Sequence, residues 1–140
     1  PLIAMAHNIP YVATASVAEL HDLEAKVERA MAVNGARYLH IFVPCPLGWG
    51  SAPQDTIRVA RLAIESGLFP LFEAEVGELV SSCKIRRKVP VEDYLLTQKR
   101  FAHLFRPQRD EPRIAAIQRI ADANISRFRL GASACESEDY

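Results

Sequence analysis

The sequence predicts an α/β fold: a parallel strand–helix–strand unit, followed by a β-hairpin and two helices. Three observations carry this. The apolar run Tyr38-Leu39-His40-Ile41-Phe42-Val43 is rich in β-branched and aromatic residues and little charge interrupts it, which suits a buried strand. An earlier short run, Pro10–Ala15, is separated from it by apolar residues at helical spacing, Leu20, Leu23, Val27, Ala30 and Met31. Strand, helix and strand in so short a span predict two parallel strands joined by a right-handed crossover. Further on, Leu71–Glu75 and Leu79–Lys88 flank Val76-Gly77-Glu78, the pattern of an antiparallel hairpin.

In chain order, Pro1 to His7 reads as the tail of a helix, with Asn8 as its stop. Ser16 and Glu19 form an S-x-x-E capping box that predicts the start of the next helix. Asn34-Gly35 closes that helix, because glycine accepts the left-handed conformation at a C-terminus. Ser51 and Gln54 make a second capping box, with Pro53 in the first turn, where its missing N–H costs nothing. This helix is expected to run to about Ser66 and stop at Gly67. After the hairpin, Pro90 opens a helix with Tyr94, Leu95, Phe101, Leu104 and Phe105 on its contact side, and Pro107 ends it. The last helix carries Ile114, Ile117, Ala121, Ile125 and Phe128 in one stripe, with Arg113, Arg119 and Asp122 outside it. Gly131 to Tyr140 is small and acidic, which predicts a flexible tail. Two parallel strands do not make a stable sheet, since such strands need both faces covered and further neighbours. The N-terminal half is therefore expected to complete a sheet whose other strands lie upstream or in a partner.

With 140 residues, 49% of them hydrophobic, the chain is long enough for one real core. A domain of this size buries about 68% of its unfolded surface. Seventeen basic and seventeen acidic residues cancel, so no net field favours nucleic acid or an anionic membrane. No apolar run approaches the ~18 residues of a membrane span, and no signal-peptide pattern is expected at the start. Three cysteines at irregular spacing do not describe a disulfide framework, which points to a reducing cytoplasm.

The most informative segment is Pro44-Cys45-Pro46-Leu47-Gly48-Trp49-Gly50, directly after the Tyr38–Val43 strand. Two prolines stop the ladder and stiffen the chain around one thiol, and the glycines let it turn. In an open α/β sheet, ligands bind where the chain leaves the carboxyl end of a strand. Cys45 is therefore a ligand candidate, although a lone cysteine is more often a buried structural thiol. Trp49 reads as a packing anchor. Thr14 and Ser16 lie at the carboxyl end of the first strand, and helix capping already explains Ser16. Cys83 sits beside Lys84, Arg86, Arg87 and Lys88, which favour a thiolate, while an exposed strand thiol without a role is the simpler account. The same basic cluster suits either a solvated strand face or the steering of an acidic partner. His7, His21, His40 and His103 show no ligand spacing, and His40 reads as a satisfied core residue. Cys135 is incidental, and no Ser/His/Asp triad or phosphate loop can be drawn.

Several motifs occur in one order: Ala6-His7-Asn8-Ile9-Pro10-Tyr11-Val12-Ala13-Thr14-Ala15-Ser16, Tyr38-Leu39-His40-Ile41 leading into Pro44–Trp49, Arg61–Glu73, Lys88–Leu95, then Gln98 and Arg100–Leu104. Together they resemble the C-terminal half of the β subunit of 2-oxoacid:ferredoxin oxidoreductases, the pyruvate synthase class. The resemblance implies that residues 1–70 are the C-terminal part of a thiamine-diphosphate-binding parallel-sheet domain. Residues 71–130 would be its hairpin and helical extension, and 131–140 its tail. It implies thiamine diphosphate, Mg²⁺ and a [4Fe-4S] cluster as cofactors, with Cys45 as the fourth cluster ligand and no catalytic side chain in this chain. It also implies a reaction: a 2-oxoacid, pyruvate first, is oxidatively decarboxylated to an acyl-coenzyme A, with electrons passing through iron–sulfur clusters to ferredoxin or another acceptor. The family's C-x-x-C pair and G-D-G motif do not occur. A cluster needs four ligands, so this chain is expected to supply part of the coordination beside a longer subunit or other subunits of a complex. An aromatic 2-oxoacid such as phenylglyoxylate is the alternative substrate. A non-catalytic assembly module is the alternative of another class.

Overall fold

The computed structural model describes residues 1–131. Its elements are α1 (Leu2–Ala6), β1 (Tyr11–Ser16), α2 (Leu20–Ala32), β2 (Arg37–Phe42), α3 (Pro46–Trp49), a 3-10 turn (Pro53–Asp55) and α4 (Thr56–Glu65). The chain continues through β3 (Phe72–Glu75), β4 (Glu78–Ser82), α5 (Val91–Leu96), a second 3-10 segment (Lys99–Leu104) and α6 (Glu111–Arg127). β1 and β2 are parallel, in register from Tyr11 opposite Arg37 to Ser16 opposite Phe42, as the sequence predicts. The hairpin joins the same sheet, because β3 pairs antiparallel with both β1 and β4. The order is β2-β1-β3-β4. Two successive antiparallel pairings return β4 to the direction of β1 and β2, so the carboxyl ends of all three lie at one end of the sheet.

Every residue of β1 is buried. Tyr11 and Ala13 pack under α2 with Ala30, Val33 and Leu39. Val12, on the other face, packs with Phe72, Ala74, Ile85, Phe128 and Leu130. Phe72 and Phe128 stack with ring centroids 4.3 Å apart. A third cluster joins α4, α5 and α6 through Val59, Leu62, Tyr94, Leu95, Leu104, Ile114 and Ala121. The expected α6 stripe is borne out, with Ile114, Ala121 and Phe128 buried and Ile117 and Ile125 packed beside them.

Polar groups inside the sheet are all paired. The Tyr11 hydroxyl donates to Glu73 Oε2 at 2.6 Å, and Arg29 Nη1 donates to both Glu73 carboxylate oxygens. Burial, then the neighbouring carboxylate, push the Tyr11 phenol above its ordinary range. Thr14 Oγ1 donates to the Pro70 carbonyl and accepts from the Phe72 N–H, so this hydroxyl is committed to holding β3.

Several expectations are corrected. β2 is exposed rather than buried, with Tyr38 and Ile41 about 40% accessible, because among the described residues β1 is its sole neighbour. His40 is correspondingly an exposed residue, edge-on to Phe69, and not a core one. The Ser16 capping box does not form: pairing with Phe42 keeps Ser16 in β1, and α2 starts at Leu20. Ser16 Oγ instead accepts the Ala18 N–H. The second box also fails, since the 3-10 turn comes first and α4 starts at Thr56. The buried face of α2 is Lys26 and Ala30, while Leu20, Val27 and Met31 are exposed. β4 ends at Ser82, well short of Lys88. The single helix expected from Pro90 to Pro107 is broken at Thr97-Gln98, where the buried Gln98 side chain caps the Tyr94 carbonyl. The predicted tail lies outside the described residues except for Gly131.

Gly67 ends α4 with φ +82°, and a Cβ there would come within 2.6 Å of Ile125 Cγ1 and 3.0 Å of the Ala121 carbonyl. Left-handed strain and overpacking against α6 add, so Gly67→Ala is expected to cost about 2–4 kcal/mol, read from the urea midpoint. An unchanged midpoint would refute this docking of α4 on α6.

Candidate functional site

β2 delivers the chain to the carboxyl end of the sheet and Pro44 halts it there. Cys45 follows in extended conformation (φ −107°, ψ 100°) as the N-cap of α3, with Pro46 in the first turn. Its thiol is exposed and free. The Cys45 carbonyl accepts the Trp49 N–H at 3.0 Å, and the Pro46 carbonyl accepts the N–H groups of Gly50 and Ser51. The loop is thus closed by its own backbone while the sulfur stays outside.

Two further contacts fix its far end. Trp49 lies against Phe42, centroids 5.7 Å apart, and Phe42 against Phe69 at 4.7 Å. Gly50 takes φ +68° and approaches Lys99 so closely that a Cβ would meet the Lys99 Cβ at 2.7 Å. The Lys99 N–H points back at the Gly50 carbonyl. The bland reading of Trp49 as a packing anchor fits these contacts.

Cys83 occupies the same end of the sheet, just after β4, and here the structure reverses the expectation. Its thiol is half-buried and donates to Asp22 Oδ1 at 3.0 Å. Burial, then the hydrogen bond to Asp22, push its pKa up to about 11, so the neighbouring basic residues do not activate it. Asp22 also accepts from Lys26 Nζ at 2.7 Å, and Lys26, 2% accessible, donates to the Thr14 carbonyl as well. A cleft of about 580 Å³ beside them is lined by His21, Asp22, Arg61, Glu65, Cys83 and Arg86 among others. Sequence reasoning missed Asp22, Lys26 and Glu73. The available signal was the Asp22–Lys26 spacing of one helical turn.

The donor set tests what this chain could hold. Gly48 leaves open space next to the Cys45 sulfur, where a Cβ would sit 3.3 Å from Sγ. Among the described residues no group of three or more His, Cys, Asp or Glu side chains is placed to bind a metal. Ser51 Oγ, six residues on, is buried without a hydrogen-bond partner among them. The donor set at this loop is one accessible thiol, so among the described residues a metal centre at Cys45 would need its further ligands from elsewhere. Cys135 lies outside the described residues. No helix among them is long and apolar enough to cross a membrane.

No protein-family model matches the sequence. Among curated proteins, the chain is 45% identical to pyruvate synthase subunit PorB of Methanosarcina barkeri, over 93% of this chain and 44% of that protein. It is 44% identical to PorB of Methanocaldococcus jannaschii, over 74% of this chain and 35% of that one. Ketoisovalerate oxidoreductase subunit VorB of Pyrococcus abyssi is 40% identical over 73% of this chain and 33% of its own length. The chain spans less than half the length of these relatives.

The two described thiols should separate in alkylation. At pH 8 iodoacetamide is expected to modify Cys45 first and leave Cys83, whose reaction rises only as pH approaches 11. The Cys83 thiol contributes stability below its ordinary value near 9 and loses it between about 9 and 11, because the unfolded thiol ionises first. Peptide mapping by mass spectrometry assigns the sites, and equal rates for both at pH 8 would contradict this geometry.

Proposed function

The chain belongs to the β-subunit family of 2-oxoacid:ferredoxin oxidoreductases, in the pyruvate synthase class, and from that premise we propose that it is the C-terminal part of such a subunit and carries one iron–sulfur ligand. The observation that carries the reading is Cys45: a free, exposed thiol on a proline-bounded loop at the carboxyl end of a parallel strand. In this reading Cys45 gives one thiolate to a [4Fe-4S] cluster whose other ligands come from outside the described residues. The cluster supplies one-electron transfer, and thiamine diphosphate with Mg²⁺, held by other sequence, supplies the carbanion chemistry by which a 2-oxoacid loses carbon dioxide. The side chains of this segment hold the thiol in place and take no proton in the reaction. Residues 1–70 form the end of the thiamine-diphosphate-binding domain, and 71–130 are its extension. The acyl group passes to coenzyme A, electrons pass to ferredoxin or a similar acceptor, and the complex works in the cytoplasm.

The open side of the sheet supports assembly with further sequence. Among the described residues β2 pairs with β1 alone and leaves its other edge unpaired, with Tyr38 and Ile41 exposed, as is Val43 just after the strand. On α2, Asp22 and Arg29 point towards Cys83 and Glu73 on the β3–β4 side. Leu20, Val27 and Met31 form a stripe on the opposite flank, beyond β2. A further parallel strand with an apolar helix, supplied by the rest of the subunit, fits both features.

Pyruvate is the first substrate, following the PorB relatives. The VorB relatives favour a second reading, a branched 2-oxoacid such as ketoisovalerate. Turnover of the assembled complex with the two acids separates them, and failure with both refutes the substrate class. Cys45→Ser in that complex is expected to lower iron by on the order of one cluster per subunit and to abolish acceptor reduction. Full iron content and full reduction would sink the ligand assignment.

A further inference from the structure

Arg100 lies far from Cys45 in sequence, and nothing above gives it a role. Its guanidinium sits over the Trp49 ring, 3.9 Å from the centroid. It also lies over the Phe101 ring, 4.6 Å from that centroid. The plane of the guanidinium is set by two hydrogen bonds: Nε donates to Gln98 Oε1 at 2.9 Å, and Nη2 to the Tyr94 hydroxyl at 3.2 Å. Both acceptors belong to buried residues. Gln98 is 2% accessible and bonded to the Tyr94 carbonyl, and Tyr94 is part of the α4–α5–α6 core. The contact therefore ties the Cys45 loop to the core of the helical extension.

We propose that Arg100 is a positioning residue: stacked on Trp49 and held by Gln98 and Tyr94, it fixes the loop that presents Cys45. Its consequence for the cluster rests on the function proposed above, while the clamp itself does not. Trp49 is partly exposed and the loop is bonded mainly to itself, so this stack adds to Phe42, the margin of the α4–α5–α6 cluster and the Gly50–Lys99 approach in holding the aromatic end. The residue type is specific. Lysine would retain the charge, but it lacks the flat fork that stacks on an indole while donating sideways to two acceptors.

The chain contains one tryptophan, so tryptophan fluorescence reports the surroundings of Trp49. In the full chain, Arg100→Met and Arg100→Lys are expected to shift Trp49 emission to longer wavelength. Acrylamide quenching should increase in both, because the cation covers one face of the ring. Helix content should stay unchanged, since Arg100 is itself exposed. Emission and quenching equal to the unsubstituted chain in both variants would overturn the clamp. Full protection in Arg100→Lys with loss in Arg100→Met would overturn the role of the fork. Should Arg100→Met fail to fold, Tyr94→Phe removes the Nη2 acceptor while keeping the ring, and is read the same way. In the assembled complex, Arg100→Lys is expected to lose iron faster on dilution with a chelator. Failure of the cluster reading is distinguishable, because Cys45→Ser with undiminished iron would refute that reading and leave the fluorescence result standing.

Discussion

β1 is the constraint to which the rest of the structure is referred. Both of its faces are covered and both of its edges are paired, one parallel and one antiparallel. A strand in that position cannot leave a polar group unmatched, because a buried donor or acceptor without a partner costs about 1–3 kcal/mol. Tyr11 is matched by Glu73, Thr14 by the backbone around Pro70 and Phe72, and the Thr14 carbonyl by Lys26. These contacts fix the register of β3 against β1 as firmly as the ladder does. They also explain why a lysine occupies the buried face of α2: its ammonium bonds to Asp22 and a strand carbonyl, and only its stem meets the apolar interior.

The same pairing scheme assembles the chemistry-bearing end of the molecule. With β1, β2 and β4 running one way, Ser16, Cys45 and Cys83 all emerge at the same end of the sheet. The two thiols there differ in every physical respect. Cys83 is held as a protonated donor to a carboxylate, which suits a structural role. Cys45 is exposed and free, which suits a ligand. Position at a strand's exit is thus a weaker guide than what surrounds the sulfur.

The helical extension also contributes to the site. Lys99 and Arg100 reach the Cys45 loop from a 3-10 segment whose start is set by Gln98, and Gln98 is buried because it caps the end of α5. The break in what the sequence presents as one helix is therefore the feature that places Arg100 over Trp49. An uninterrupted helix would carry that side chain round to a different direction.

Local information in the sequence determined the parallel strand–helix–strand unit, the hairpin, the apolar stripe of α6 and the exit of Cys45 from a strand. Each follows from a repeat period, a turn residue or a proline acting within a few positions of itself. The Pro-Cys-Pro segment and its companion motifs also determined the family. Tertiary structure alone decided which apolar residues are covered. The run Tyr38–Val43 has a core strand's composition, yet β2 lies at an edge, because burial depends on how many neighbours a strand has and not on its own side chains. Pairing with β2 likewise kept Ser16 out of its capping box, and burial, then a carboxylate on α2, decided the state of Cys83 against its basic neighbours. Arg100 reached Trp49 through three-dimensional folding across more than a third of the chain, a distance that no sequence period spans.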